Sequence, residues 1–277
     1  MATERLPRTP LRPGPPRHLR PVPDEAAAEL GPSYPWVWMY HSVSAGRQDD
    51  PYQLTVDPER FTRQMEWLAR TGRRGVAMAE LVRAQREGRA EGLVGITFDD
   101  GYADFPRSVL PVLDRLGFTA SAYVVAGQLG GWNSWDAEGP RRRLLTAPQV
   151  RELARAGWEI GSHSLTHLRM DGSDREALRH EARRSREVLE DVLGAPVAGF
   201  CYPYGAHGAE AVEAVRDAGY DYAVAICHSP FTGRWALPRS YVGQRDGALR
   251  LRAKHLRHRR RNHRCARGLG PQGQEEQ

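Results

Sequence analysis

From Asp57 onward, short apolar and β-branched runs alternate with longer stretches whose apolar positions recur at helical spacing. The helical period predicts helices over 58–71, 77–87, 105–116, 147–156, 175–193 and 209–218. Between them, 93–98, 120–125, 158–160, 199–202 and 222–226 read as strands, short and β-rich as buried parallel strands are. This alternation predicts an α/β fold, a distorted (β/α) barrel in a single domain. Helix ends agree with these boundaries. Thr146 precedes Pro148 and Gln149 at capping-box spacing, and Gly157, Gly194 and Gly219 follow helical stretches where a C-terminal glycine belongs. Between 127 and 143 the periodicity is lost, which predicts a long loop carrying Trp132 and Trp135.

Composition adds limits. A chain of 277 residues with 40% apolar content has room and material for one barrel-sized core. Both ends depart from the middle. Residues 1–35 are dense in Pro and Arg with no apolar run, which predicts a disordered or loosely draped segment, and residues 250–277 read as a basic tail flanking a barrel over 36–249. The stretch 250–264 accounts for much of the net charge of +6. It could contact anionic surfaces, but it lacks the interleaved aromatics of a single-strand nucleic-acid binder, so a solvated tail is the plainer reading and no specific nucleic acid is expected. His255, His258 and His263 then belong to the charge run and not to a ligand set. The Met1 segment has no apolar h-region and nothing reaches transmembrane length, so a cytoplasmic location is the expectation. Cys201, Cys227 and Cys265 lack metal-type spacing and fit reduced thiols.

The candidate chemistry sits at strand ends. The run 93–98 stops at Asp99-Asp100-Gly101, and a second run through Ile160 stops just before His163-Ser164-Leu165-Thr166-His167. Adjacent strand residues point to opposite sides, so the two carboxylates need not share a role. Two imidazoles and one carboxylate make the three-ligand set of an open catalytic metal site. If the chain turns helically after Ser162, the i,i+4 spacing brings both rings to one face. Glu is absent after the first His, unlike the zincin helix, so a base must come from elsewhere, and Asp99 is placed to fill that role.

Thr97-Phe98-Asp99-Asp100-Gly101, then His163 to His167, then Phe200-Cys201-Tyr202-Pro203-Tyr204-Gly205 resemble, in order, three motifs of the polysaccharide deacetylases, the NodB-homology or carbohydrate esterase 4 family. The resemblance spans roughly residues 36–245. It implies a NodB-type barrel, Asp99 as general base, and Asp100, His163 and His167 as ligands of one divalent ion, zinc first, with cobalt, nickel or iron fitting similar ligands. It also implies Tyr202, Pro203 and Tyr204 in the groove wall, with the Tyr204 N–H as oxyanion donor. The family's third-motif Arg is not matched, since Cys201 or Tyr202 stands there. The early Tyr40-His41 segment is similar to that of the poly-N-acetylglucosamine deacetylases, whose motif order is circularly permuted, which implies His41 as general acid in preference to His228. Trp132 and Trp135 are candidates for stacking on sugar rings.

Three functions follow as expectations. The first is a metal-dependent hydrolase that removes the acetyl group from an N-acetylated sugar or polysaccharide. The second is a hydrolase of another non-peptide amide on the same scaffold, and the third a catalytically silent glycan-binding barrel. A base beside three ligands is of no use to a binding module, which counts against the third.

Overall fold

The computed structural model describes residues 34–45 and 50–266, so the expectation of disorder over 1–35 lies outside the described residues except at Tyr34 and Pro35, where Tyr34 is held by hydrogen bonds with Thr232 and Asn262. The first strand, β1 (Val37–Tyr40), is followed by β2 (Ser42–Val43), β3 (Thr55–Val56), helix α1 (Pro58–Arg70), β4 (Arg74–Val76), α2 (Met78–Arg86) and β5 (Leu93–Phe98). Two short helices, α3 (Phe105–Ser108) and α4 (Leu110–Leu116), then β6 (Ser121–Val124), α5 (Ala147–Arg155) and β7 (Glu159–Ser162) come next. The chain continues through α6 (Arg175–Leu193), β8 (Gly199–Cys201), α7 (Ala209–Asp217), β9 (Tyr222–Val224), β10 (Ser240–Tyr241) and α8 (Ala248–Ala266).

The main sheet runs β10-β1-β5-β6-β7-β8-β9 with every pair parallel, and β4 pairs with the first half of β5. The segment Leu237 to Tyr241 reaches both edges: Leu237 bridges to Val224 in β9, and β10 pairs with β1. The curled sheet is thereby drawn into the distorted barrel that the alternation of elements predicts.

Strand alternation sorts side chains into two cores. Trp38 and Tyr40 of β1 and Ile96 and Phe98 of β5 point outward into a large cluster with Phe61, Phe105 and Trp158. Edge-to-face contacts such as Tyr40–Phe61 at 5.4 Å and Phe98–Phe105 at 5.0 Å tie strands to the helical layer. Val37, Tyr123, Cys201, Tyr222 and Val224 belong to a second, smaller cluster inside the curl. Thr97 and Asp99 share that inner parity, so β5 delivers a carboxylate to the inside just where the strand ends.

Helix ends follow the sequence. The Thr146–Gln149 capping box forms in full, and Asp57 and Asp174 cap α1 and α6 by accepting N–H bonds. Helix α2 has no such residue at its own start. Its first N–H groups donate to Ser121 Oγ (from Met78, 2.7 Å) and to the Glu159 carboxylate (from Ala79, 2.9 Å), so two neighbouring strands cap it.

The basic C-terminal stretch differs from the expectation of a solvated tail. Over Ala248–Ala266 it is a helix, with Leu251 buried and His255 packed against Trp36 at 4.7 Å between ring centroids. The apolar and ring-bearing positions 251, 255 and 258 recur at helical spacing, a signal masked by the density of charge around them. No helix among the described residues is long and apolar enough to cross a membrane.

Candidate active site

At the end of β5 the Asp99 N–H donates to the Tyr40 carbonyl at 2.9 Å and so extends the β1 pairing by one residue. The chain then turns through two successive left-handed residues, Asp100 at φ 70° and Gly101 at φ 72°. A Cβ at Gly101 would lie 2.7 Å from Val124 Cγ1, so only glycine lets the turn pass this close to β6. Both carboxylates are buried, Asp99 facing into the barrel and Asp100 into the loops.

The histidines arrive from β7. His163 N–H donates to the Val124 carbonyl (2.8 Å), and its ring Nδ1 meets the Cys201 carbonyl at 2.8 Å. A carbonyl only accepts, so Nδ1 bears the proton and Nε2 is directed at Asp100 Oδ1, 3.3 Å away. His167 Nε2 is also 3.3 Å from the same oxygen. The helical turn expected after Ser162 is absent. Residues 163–168 form an irregular loop with Ser164 at φ 64° and His167 at φ 67°. Among the described residues, four of the five non-glycine residues with positive φ are Asp100, Ser164, His167 and Tyr204, all at this site, a concentration of backbone strain that the surroundings must hold.

The buried carboxylate of Glu181 in α6 holds the loop. It accepts N–H bonds from Leu165 and Thr166 at 2.9 Å each and the Thr166 hydroxyl at 2.6 Å. From the other side, Ala126 and Gly127 donate N–H bonds to the Ser164 and Leu165 carbonyls at 3.0 and 2.8 Å. Sequence reading missed Glu181, since a glutamate inside a helix rich in charged residues carries no distinguishing mark.

The three donor atoms of Asp100, His163 and His167 fit a single metal ion. One atom from each lies within 4.8 Å of the others, and all three residues are buried. Asp100 Oδ1 is buried without a hydrogen-bond partner, an arrangement costly for a carboxylate unless a cation faces it. Burial opposes charge on His163, yet Cys201, Asp100 and Asp99 outweigh it and raise the His163 pKa well above its usual value, whereas burial keeps the His167 pKa below its usual value in spite of Asp100.

Asp99 is held differently. Arg239, fully buried in the barrel, donates to Asp99 Oδ1 and Oδ2 at 2.6 and 2.7 Å. Burial raises the Asp99 pKa, but Arg239 foremost, then His163 and His41, more than offset this and hold the carboxyl below its usual range. The guanidinium is itself fixed by the Ala225 carbonyl, Thr97 Oγ1 and Cys201 Sγ. Sequence reading passed over Arg239; its signal was an Arg directly after the apolar segment 235–238 and just before a strand.

The other expected residues divide. His41 follows β1 directly, with Nε2 4.0 Å from Asp99 Oδ2 and Nδ1 buried without a hydrogen-bond partner. Tyr204 is 47% exposed and meets the His167 ring edge-on at 4.6 Å, while Trp135 stacks flat on that ring at 4.3 Å. Tyr202 is no part of a groove wall: it is fully buried in the outer core, its hydroxyl donating to the Trp235 carbonyl at 2.9 Å. Pro203 is buried at the start of the turn that presents Tyr204. Trp132 is gripped between Arg141 and Arg143, their guanidinium carbons 4.3 and 4.2 Å from its ring, and so anchors the loop. His228 lies edge-on to Tyr34 at 5.8 Å, outside the acid-imidazole cluster.

The polysaccharide deacetylase family model matches residues 86–223, which include both aspartates and both histidines. YxkH of Bacillus subtilis (strain 168), named as a polysaccharide deacetylase, is 28% identical over 190 residues, covering 68% of this chain and 63% of that protein. The poly-β-1,6-N-acetyl-D-glucosamine N-deacetylase of Escherichia coli (strain K12) is 25% identical over 245 residues, covering 72% of this chain and 36% of that one. The matched part is thus less than two thirds of either relative. Among solved structures, the Streptococcus pyogenes deacetylase PplD in complex with acetate superposes with a TM-score of 0.67 at 21% identity, covering 80% of this chain and 98% of that one. IcaB from Ammonifex degensii gives a TM-score of 0.62 at 22% identity, covering 80% and 96%. The barrel is therefore the one these structures share, and by its motifs, their order and the matching family model the chain belongs to the polysaccharide deacetylase family.

Proposed function

We propose that this chain is a metal-dependent de-N-acetylase that hydrolyses the acetamide of an N-acetylated sugar or polysaccharide to acetate and a free amine. Asp100, His163 and His167 would hold one divalent ion, zinc by the chemistry of two imidazoles and a carboxylate, with cobalt, nickel or iron as substitutes. The observation that carries the reading is the split between neighbouring carboxylates. Asp100 is turned to two imidazole nitrogens at 3.3 Å, whereas Asp99 is pinned by Arg239 at 2.6 and 2.7 Å. When bound, the ion supplies Lewis acidity toward a water and the amide oxygen.

The chain's own groups supply the rest. Asp99 takes a proton from the attacking water; Arg239 keeps it ionised and fixes its plane, at some cost in basicity. The Tyr204 N–H donates to the developing oxyanion, a contribution of roughly 3 kcal/mol in comparable acyl-transfer sites. His41 protonates the departing nitrogen, since an amine leaves poorly unless it carries that proton. Trp135 and Tyr204 offer aromatic surface to a sugar ring beside His167. Polymeric N-acetylglucosamine is the first substrate to test, in line with the name of the Escherichia coli relative.

The test incubates purified protein, stripped and reloaded with zinc or cobalt, with N-acetylglucosamine oligomers and measures acetate. Acetate release that requires the metal is expected. Metal bound with no acetate from any sugar amide would instead favour a different amide substrate on the same scaffold.

A further inference from the structure

Helix α8 has no acidic residue along its length, and its seven arginines and one lysine exceed the net charge of the whole chain, +6. Its inner stripe is fully engaged. Leu251 is buried, Lys254 pairs with Asp246 at 2.7 Å, His255 and His258 pack on Trp36, and Asn262 Nδ2 donates to the Tyr34 carbonyl at 2.6 Å. At 100° per residue the opposite stripe is Leu249, Ala253 and Leu256 over the first half of the helix, continued by the exposed Arg260 in the second. Leu249 is 84% exposed and Leu256 46%, two of the four large hydrophobic residues exposed on the described surface. Arg252 and Arg259 flank this stripe on one side, Arg250 and Arg257 on the other. All four are exposed, and none has an ion-pair partner among the described residues.

We propose that α8 docks the protein on an anionic phospholipid surface, lying flat in the headgroup layer with Leu249, Ala253 and Leu256 inserted and the arginines spread among the phosphates. An apolar centre bordered by cations on both sides is the profile of an interfacial helix. A nucleic acid or soluble polyanion would use the arginines alone and leave Leu249 in water; a bilayer interface satisfies both parts of the surface. The docking also sets an orientation. Lys254 donates to the Tyr241 carbonyl near the carboxyl end of the sheet, and Asn262 contacts Tyr34 just before β1, so α8 runs antiparallel to β1. With α8 against the membrane, the catalytic mouth at the strand ends opens along the surface and not into it, leaving it clear for a polymer lying there.

Sedimentation of the full-length protein with vesicles tests this. Pelleting is expected with phosphatidylcholine–phosphatidylglycerol vesicles and not with phosphatidylcholine alone, weakening as salt is raised. The double variant Leu249→Ser, Leu256→Ser keeps every charge and is expected to bind about tenfold more weakly or worse, with an unchanged melting temperature. Arg252→Gln with Arg257→Gln is expected to weaken binding as well. The proposal is overturned by no pelleting with anionic vesicles, by wild-type binding of the leucine variant, or by tighter binding to single-stranded DNA than to vesicles at equal salt.

Discussion

Arg239 and Asp99 meet through two parallel hydrogen bonds, 2.6 and 2.7 Å long, with the guanidinium fully buried and the partners 140 positions apart in the chain. A lysine carries the charge but not the fork, so Arg239→Lys leaves one carboxylate oxygen unbound and the Thr97, Ala225 and Cys201 contacts unmade. Acetate release is expected to fall about 10²-fold with the metal retained. Arg239→Met strands Asp99 as a buried, unpaired charge and is expected to cost about 3–5 kcal/mol of stability by chemical denaturation. Wild-type turnover in Arg239→Lys would show that fixing the plane of Asp99 does not matter.

Asp99→Asn keeps the size of the side chain and removes its ability to accept a proton. Metal content is expected to be unchanged and acetate release nearly abolished. Turnover near wild type would take Asp99 out of the mechanism.

Glu181 sits behind the histidine loop and reaches neither Asp100 nor the imidazoles by hydrogen bond, yet it collects three donors from Leu165 and Thr166. In Glu181→Ala the N–H groups of Leu165 and Thr166 lose their acceptor and the strained backbone around Ser164 and His167 is released. Zinc affinity, read by competition with a chelating dye, is expected to drop about 10–100-fold. Glu181→Gln, which retains one carbonyl acceptor, is expected to fall between the two. Equal affinity in all three proteins would mean that the loop holds its shape without this carboxylate.

Gly101→Ala tests the turn itself. The new Cβ would press on Val124 at 2.7 Å in a left-handed backbone, with a strain cost of about 1–3 kcal/mol. A lowered melting temperature is expected together with weaker metal binding, because Asp100 sits in the same turn. Full stability would mean that β6 yields easily.

Most of the scaffold was legible because its signals are local. The helix predicted over 175–193 spans Arg175–Leu193, and the strand predicted over 93–98 spans Leu93–Phe98, since each has one clear period and clear stops. The stretch 105–116 breaks into two helices at Val109, next to Pro106 and Pro111, which periodicity alone passes over. Strands β4 and β10, three and two residues long, owe their state to pairing and carry no pattern of their own. The site was legible where chemistry sits in short motifs, as in Asp99-Asp100 and the two histidines. Arg239 and Glu181 reach it across 140 and about 16 residues of chain, and long-range contacts leave no local trace. Tyr202 was misplaced for a related reason: a motif tells which residues recur together, whereas strand parity decides which of them face the core.

The central claim is that Asp100, His163 and His167 hold one metal ion while Asp99, though adjacent, holds none. Zinc bound per chain, measured by elemental analysis after reconstitution and dialysis, tests it directly across four proteins. A single ion is expected in the wild type and in Asp99→Asn, and none in Asp100→Asn or His163→Ala. Loss of zinc from Asp99→Asn, or its retention by Asp100→Asn, would contradict this division between the two carboxylates.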